Sequence, residues 1–188
     1  VTLTKDYWLG KYPITQAQWR AVMGTNPSCF KGDDRPVEFI SWNDAKAFCD
    51  KLNELYRDKL PAGYRFDLPT EAQWEWAAMG GLLSNGYKYS GSDTTSEVAW
   101  SAVDYDYTLN EVAQLQPNEL GIYDMSGNVH EWCQDYYGSY SSGSQTNPIG
   151  PSSGSGRVSR GGGWDYNAES CRVSFRSYDS PGYGNYHL

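Results

Sequence analysis

The chain has 188 residues, 15 Lys+Arg against 23 Asp+Glu, a net charge of −8 and a pI near 4.7. That is enough chain to bury a core in one domain, and the acidity argues against a non-specific nucleic-acid binder. No apolar run reaches the roughly 20 residues of a membrane helix, and eight Trp are too much apolar surface for a disordered chain. What stands out is 16 Tyr in a Ser/Gly-rich, Lys-poor background. Binding faces have that composition, and so does a small core filled with aromatics.

In chain order, 1–14 reads as a strand and turn, with Tyr7, Trp8, Leu9 and Tyr12 ahead of Pro13. Thr15 opens a helix through a capping box with Gln18, and Trp19, Val22 and Met23 form its apolar stripe. A loop over 26–36 follows. The clearest helix is predicted over 42–59, capped by Ser41 with Asp44 at the third position. There Trp42, Ala45, Phe48, Cys49, Leu52, Leu55 and Tyr56 recur at three- and four-residue steps. A third helix follows Thr70, boxed with Gln73, and Gly80-Gly81 ends it. Beyond 82 the chain loses helical period. Short strands are predicted at 129–133, 157–163 and 171–177, joined by long loops of the kind that carry binding or catalysis. No linker or internal repeat divides 1–188.

The four cysteines, Cys29, Cys49, Cys133 and Cys171, contain no CxxC pair, which excludes a zinc ribbon or a thioredoxin motif. They allow three disulfide pairings. Cys49, on the apolar helix face, reads as a buried thiol rather than a bridge. Two distant histidines, His130 and His187, give poor support to His-based metal catalysis.

Three motifs stand out. Leu68–Ala78 (LPTEAQWEWAA) is a helix start to which no chemistry is assigned. Asn118–Trp132 (NELGIYDMSGNVHEW) places Asp124 and Glu131 on either side of a Gly-containing turn. Such a pair can surround a hard cation, although two acids beside a turn are ordinarily just solvated. Arg157–Trp164 (RVSRGGGW) precedes Cys171-Arg172. Its glycines permit a sharp turn or close backbone approach, but no Lys-Ser/Thr follows to make a phosphate loop.

Together, and with "YWLGKYPITQAQWRAVM" and "RPVEFISWNDAKAFCDKLN", these motifs resemble the formylglycine-generating-enzyme family of sulfatase-modifying-factor domains over nearly the whole chain. The resemblance implies an α+β fold. It is an elaborated C-type-lectin fold with a small twisted antiparallel sheet, two main flanking helices and many loops. The closing "GFR" usual in the family is missing, so the sequence reads as an excised domain. The resemblance further implies a Ca²⁺ site on the Asp124 and Glu131 side chains and the main-chain oxygens of Gly127 and Val129. A second calcium site would fall near 99–115, where this sequence does not match. The family's enzymes oxidise a cysteine with copper held by two C-terminal cysteines. Here the later position is Cys171 and the earlier is Tyr166, and a phenol does not replace a thiolate at Cu(I). The resemblance therefore gives the fold and argues against a copper-dependent oxidase.

A narrower resemblance is to the variable proteins of diversity-generating retroelements. In these, Asn codons are randomised in their first two bases and keep a third-base pyrimidine, which reaches Tyr, Phe, Ser, Asp, Gly, His and Asn but never Lys, Glu, Gln, Met or Trp. Across 164–188, Asp165, Tyr166, Asn167, Phe175, Ser177, Tyr178, Asp179, Ser180, Gly182, Tyr183, Asn185, Tyr186 and His187 all lie in the allowed set. Trp164 and Glu169 do not. Trp164, Cys171, Arg172, Val173, Arg176 and Pro181 read as scaffold holding the backbone still. The resemblance implies a non-catalytic binding protein, with a protein or glycan as ligand and no nucleic-acid partner. It also implies a monomer at a bacterial cell surface, with a secretion signal or lipid anchor upstream. No cofactor is required beyond a structural Ca²⁺. The alternatives are the copper oxidase and a non-catalytic relative with one fixed partner.

Overall fold

A computed structural model describes residues 1–102 and 108–188. Part of the 99–115 stretch considered for a second calcium site therefore lies outside the described residues. Three helices form where the capping boxes predict them: α1 (Gln16–Met23), α2 (Trp42–Leu55) and α3 (Glu71–Ala78). In each, the N-cap hydroxyl of Thr15, Ser41 or Thr70 accepts the N–H three residues on, and Gln18, Asp44 or Gln73 reaches back to the cap N–H. α2 stops at Leu55, not 59. Its stripe is buried at Ala45, Phe48 and Cys49 and continues to half-buried Leu52, while Leu55 and Tyr56 are largely exposed, so the buried stripe gives out there and Pro61 follows.

A one-turn helix, α4 (Thr95–Val98), leads into β1 (Ala99–Trp100), which pairs in parallel with β2 (Ser126–Gly127). The main sheet is antiparallel, in the order β3 (Glu131–Tyr136), β4 (Arg157–Arg160), β5 (Ser177–Asp179). β4 ends at Arg160, short of the predicted 163, because Gly161 and Gly162 take positive φ and turn the chain. The strand predicted at 171–177 is displaced: Ala168–Cys171 form a 3₁₀ turn, and pairing begins only at Ser177. The segment 1–14 forms no strand, only a bridge from Thr2 to Thr146.

α3 packs on β3 and β4 around Trp74, Ala77, Ala78, Met125, Cys133, Val158 and Val173. α1 and α2 meet through Trp19 and Phe48, whose rings stack at 5.0 Å. Trp132 and the C-terminal Leu188 pack against Ala45 of α2. Among the described residues all four cysteines are free thiols, Cys49, Cys133 and Cys171 buried and Cys29 exposed. Not every Trp is buried. Trp8 is 73% exposed, its ring 4.6 Å from that of Tyr64.

One carboxylate ties these layers together. Glu71, the first residue of α3, is buried. Its oxygens accept from Arg176 Nε at 2.5 Å and Nη2 at 2.7 Å, and from Tyr140 Oη at 3.1 Å. Its N–H donates to Asp135 Oδ2 of β3 at 2.8 Å. Arg160 of β4, fully buried, lies 3.3 Å from Glu71, also pairs with Glu75, donates to the Phe175 carbonyl and sits over the Trp74 ring. Burial pulls the Arg160 guanidinium down to about 10, so it stays charged at neutral pH. Removing one partner of such a pair leaves an uncompensated buried charge, which costs about 3–5 kcal/mol. Glu71→Ala should therefore lower the unfolding free energy by about that amount, read from the midpoint of urea denaturation.

Candidate functional site

The C-terminal segment is pinned at intervals. The Trp164 N–H donates to the Asn128 carbonyl at 2.9 Å, and its indole donates to the Tyr186 carbonyl at 3.0 Å. Cys171 and Val173 are buried, and Arg176 is held by Glu71. The Pro181 carbonyl accepts from Asn43 of α2 at 3.1 Å. These residues were expected to be scaffold, and they anchor the segment to α2, α3 and the sheet.

Between the anchors lie the thirteen candidate positions. Tyr178, Tyr183 and Tyr186 are 52%, 50% and 44% exposed. Asn167, Ser180 and Gly182 are also exposed, while Asp165, Tyr166, Phe175, Ser177, Asp179 and His187 are half-buried. Asn167 is not a free side chain, since its Oδ1 caps the 3₁₀ turn at the Ser170 N–H. Asn185 is a correction. It is 7% exposed, its Oδ1 accepts from the His187 N–H at 3.0 Å and its carbonyl from the Phe39 N–H at 2.8 Å. Asn185 is a buried joint between the segment and the loop before α2, not part of the surface. Nothing local in the sequence marks this joint, because its other half is Phe39. It holds a left-handed φ of 65°, strained for a bulky side chain, and its N–H is satisfied by Asn185.

The strand divides the segment into two faces, because successive side chains alternate. Tyr178 pairs across the ladder with Val158. Its ring stacks on Tyr137 at 4.3 Å, and Arg176 lies over the rings of Tyr137 and Tyr140. Tyr137 and Tyr140, exposed and outside the variable segment, were not foreseen as part of this surface. On the other face, Tyr166 Oη is 3.2 Å from His187 Nε2, and His187 Nδ1 is 3.3 Å from Asp165 Oδ2. Buried His130 packs edge-on against Tyr166 at 4.9 Å. Burial and nearby His187 push His130 down to about 4, so it is neutral at physiological pH. Burial and the charges of Asp165 and Asp179 raise the Tyr166 phenol, which opposes any role as an anionic nucleophile.

Tyr166 and Cys171, the two positions matching the copper ligands, have different surroundings. Tyr166 packs on His130 and His187, whereas Cys171 is buried with Tyr89, Val98 and Ala99. Cys133, on the α3 side of the sheet, belongs to another cluster, so no cysteine pair is assembled there. Among the described residues, no three His, Cys, Asp or Glu side chains converge as a metal site.

The 124–131 turn is tightly built. Asp124, Gly127 and Asn128 all take positive φ. A Cβ on Gly127 would lie 2.3 Å from the Trp100 carbonyl oxygen, so β1 can pair there only with glycine. Asn128 is buried, bonded to the main chain of Asn110. Asp124 Oδ2 accepts from the Ala113 N–H at 2.7 Å. Burial raises Asp124 to about 6. Burial and the charge of Asp124 raise Glu131 to about 8. Two desolvated carboxyls, one raised further by the charge of the other, are donors of the kind a hard divalent cation takes.

A raised carboxyl pKa stabilises the fold below the unfolded pKa, and this stability is lost as pH climbs through the folded value. Without divalent cations the melting temperature should fall as pH rises from about 4.5, where Glu131 ionises in the unfolded chain, to about 8, where it ionises in the fold, and level off above that. Glu131→Gln should flatten that slope in a pH series of thermal melts. His130 acts with the opposite sign, its contribution vanishing as pH drops from 6.5 towards 4, so the Glu131 slope is read cleanly between pH 6.5 and 8. At the buried joint, Asn185→Ala should cost about 1–3 kcal/mol of stability in urea denaturation. Tyr183→Ser, on the surface, should change it by less than about 0.5 kcal/mol.

Comparison with known proteins agrees with this architecture. The sulfatase-modifying factor enzyme 1-like domain family matches residues 1–188. The solved structure of Treponema denticola variable protein 1 superimposes with a TM-score of 0.84 at 35% identity, covering 95% of this chain and 81% of that one. A protein from Paenibacillus barcinonensis named chaperone protein LppX is 37% identical, over 98% of this chain and 78% of its own length. The formylglycine-generating enzyme of Streptomyces coelicolor is 32% identical over 93% of this chain, which spans only 56% of that enzyme. The chain belongs to the sulfatase-modifying factor enzyme 1-like domain family.

Proposed function

We propose that this chain is a non-catalytic ligand-binding protein of a diversity-generating retroelement, with its C-terminal segment as a variable recognition surface. One observation carries the reading: solvent exposure separates residues read as scaffold from tyrosines read as variable. Trp164, Cys171 and Val173 are buried at positions read as scaffold, while Tyr178, Tyr183 and Tyr186 are exposed at positions a randomised Asn codon reaches. Similarity to a structure named as a variable protein supports it. Tyrosines on a pinned backbone supply rigid contact area at low entropic cost. The partner is a protein or glycan met by a monomer at a cell surface. The test is the genomic locus. An adjacent reverse transcriptase and a near-copy of the codons for 164–188, differing only at template adenines, are expected. A locus without them overturns the reading in favour of a family member with one fixed partner.

Catalysis of the formylglycine type is the second reading, favoured by the enzymes among the relatives. Tyr166 in place of the first cysteine, and the separate burial of Cys171, weigh against it. A tight Cu(I) site that depends on Cys171, found by copper titration with thiol labelling, would restore it.

For the turn, we propose a structural Ca²⁺ held by Asp124, Glu131 and the Gly127 and Val129 carbonyls. It would be anchored by ionised carboxylates, so Ca²⁺ should raise the melting temperature more at pH 8 than at pH 5. The gain should vanish in Glu131→Gln.

A further inference from the structure

We propose that the groove at the end of α2, walled by Tyr64 and extended by Trp8, is a saccharide-binding site separate from the C-terminal segment. It takes a pyranose ring with equatorial substituents, as in a β-1,4-linked glucan, stacked on the aromatic pair.

The groove lies between the end of α2 and the loop that follows. Its volume is about 370 Å³, and it is lined by Asn53, Glu54, Arg57, Leu60, Tyr64 and Arg65. Small-ligand sites span about 300–1,000 Å³. The walls are held in place. Asn53 fastens the loop to the helix: its Nδ2 donates to the Phe66 carbonyl and its Oδ1 accepts the Phe66 N–H, both at 2.8 Å. The Tyr64 N–H closes a turn on the Pro61 carbonyl at 3.0 Å, and Gly63 supplies the left-handed residue of that turn with a φ of 85°.

Trp8 extends the Tyr64 wall. Their ring centroids are 4.6 Å apart at a tilt of 41°. Trp8 remains 73% exposed and Tyr64 40%, although the residues on either side of Trp8 are held. The Tyr7 hydroxyl donates to the Gln73 carbonyl at 2.8 Å, and Leu9 packs on the core between α3 and the sheet. The backbone is thus anchored where the indole stands in water. The site is also remote from the C-terminal segment. The first turn of α2 bonds the Pro181 carbonyl through the Asn43 N–H. Asn53 lies ten residues further along the helix, about 15 Å along its axis. This inference therefore does not depend on the C-terminal segment being variable.

The lining groups select the ligand. The groove presents the Glu54 carboxylate together with the Arg57 and Arg65 guanidinium groups, so acceptors and donors stand side by side. Arg65 pairs with Asp67, which Lys46 also holds. Among the described residues neither Glu54 nor Arg57 is in an ion pair. A simple anion would meet Glu54 and the negative faces of the rings, and a simple cation would meet two guanidinium groups. An apolar side chain would desolvate the charged heads without pairing them. A pyranose suits every group at once. Its axial C–H groups form a flat, slightly positive face for the π surface, and its hydroxyls both donate and accept around the edge.

The test is a titration followed by the ¹⁵N-labelled indole N–H signals, with Trp8 assigned by its loss in Trp8→Phe. Probes are cellotriose and triacetylchitotriose, an acetylated triproline amide, and the N-acetyl methylamides of lysine and glutamate. The two saccharides should shift the Trp8 signal at millimolar concentration and leave that of buried Trp74 in place. Affinity read by calorimetric titration should fall about tenfold in Trp8→Ala and about two- to tenfold in Tyr64→Ala and Arg57→Ala. It should recover in part in Trp8→Phe. It should not change in Leu82→Ala, which removes a side chain that is 92% exposed outside the groove. Unchanged thermal melts show that the variants fold. No shift at Trp8, an equal or stronger response to the triproline or to either charged amide, or an affinity that survives Trp8→Ala or Arg57→Ala would each overturn the proposal.

Discussion

Glu71 is where the molecule closes. One buried carboxylate starts α3, bonds Asp135 of β3 through its main chain, faces Arg160 of β4 and clasps Arg176 of the C-terminal segment. In a small sheet with only short strands, ladder hydrogen bonds alone define the layers poorly. A charge-assisted, bidentate contact adds direction as well as energy. Buried pairs of this kind often contribute little net stability against an apolar substitute. Their role here is to fix one arrangement of helix, sheet and tail, and the motifs around Glu71, Asp135, Arg160 and Arg176 are parts of one contact.

With Arg176, Trp164 and Val173 fastened, the backbone between them is determined by residues other than the exposed ones. That arrangement allows side chains at Tyr178, Tyr183 or Tyr186 to change without changing the path of the chain. Asn185 marks the limit of the arrangement. It lies in the run of randomisable codons, yet its side chain and carbonyl close the joint with Phe39 and His187, so variation there would be felt by the fold.

The segment is also two surfaces. Tyr178 stacks on Tyr137 beside an arginine paired with Glu71, while Tyr166 and Tyr186 pack edge-on against His187. Physical neighbours in sequence, Tyr178 and Asp179, therefore face different partners. A ligand reading the whole tail would wrap the edge of β5.

The sequence by itself determined whatever depends on residues close along the chain. The three helix starts were legible because a capping box is closed within four residues, and the glycine-dependent turns because positive φ is a local constraint. The resemblance carried by three motifs supplied the overall fold. Tertiary structure alone decided the rest. The end of α2 depended on whether Leu55 found a neighbour, the place of β5 on which stretch could reach β4, and the β1–β2 pair on Trp100 meeting Gly127 across 27 residues. Likewise Asn185 became a joint and Trp8 a surface residue through contacts, or the lack of them, with distant parts of the chain. Burial and pairing are properties of the packed whole, which no local pattern of residue types contains.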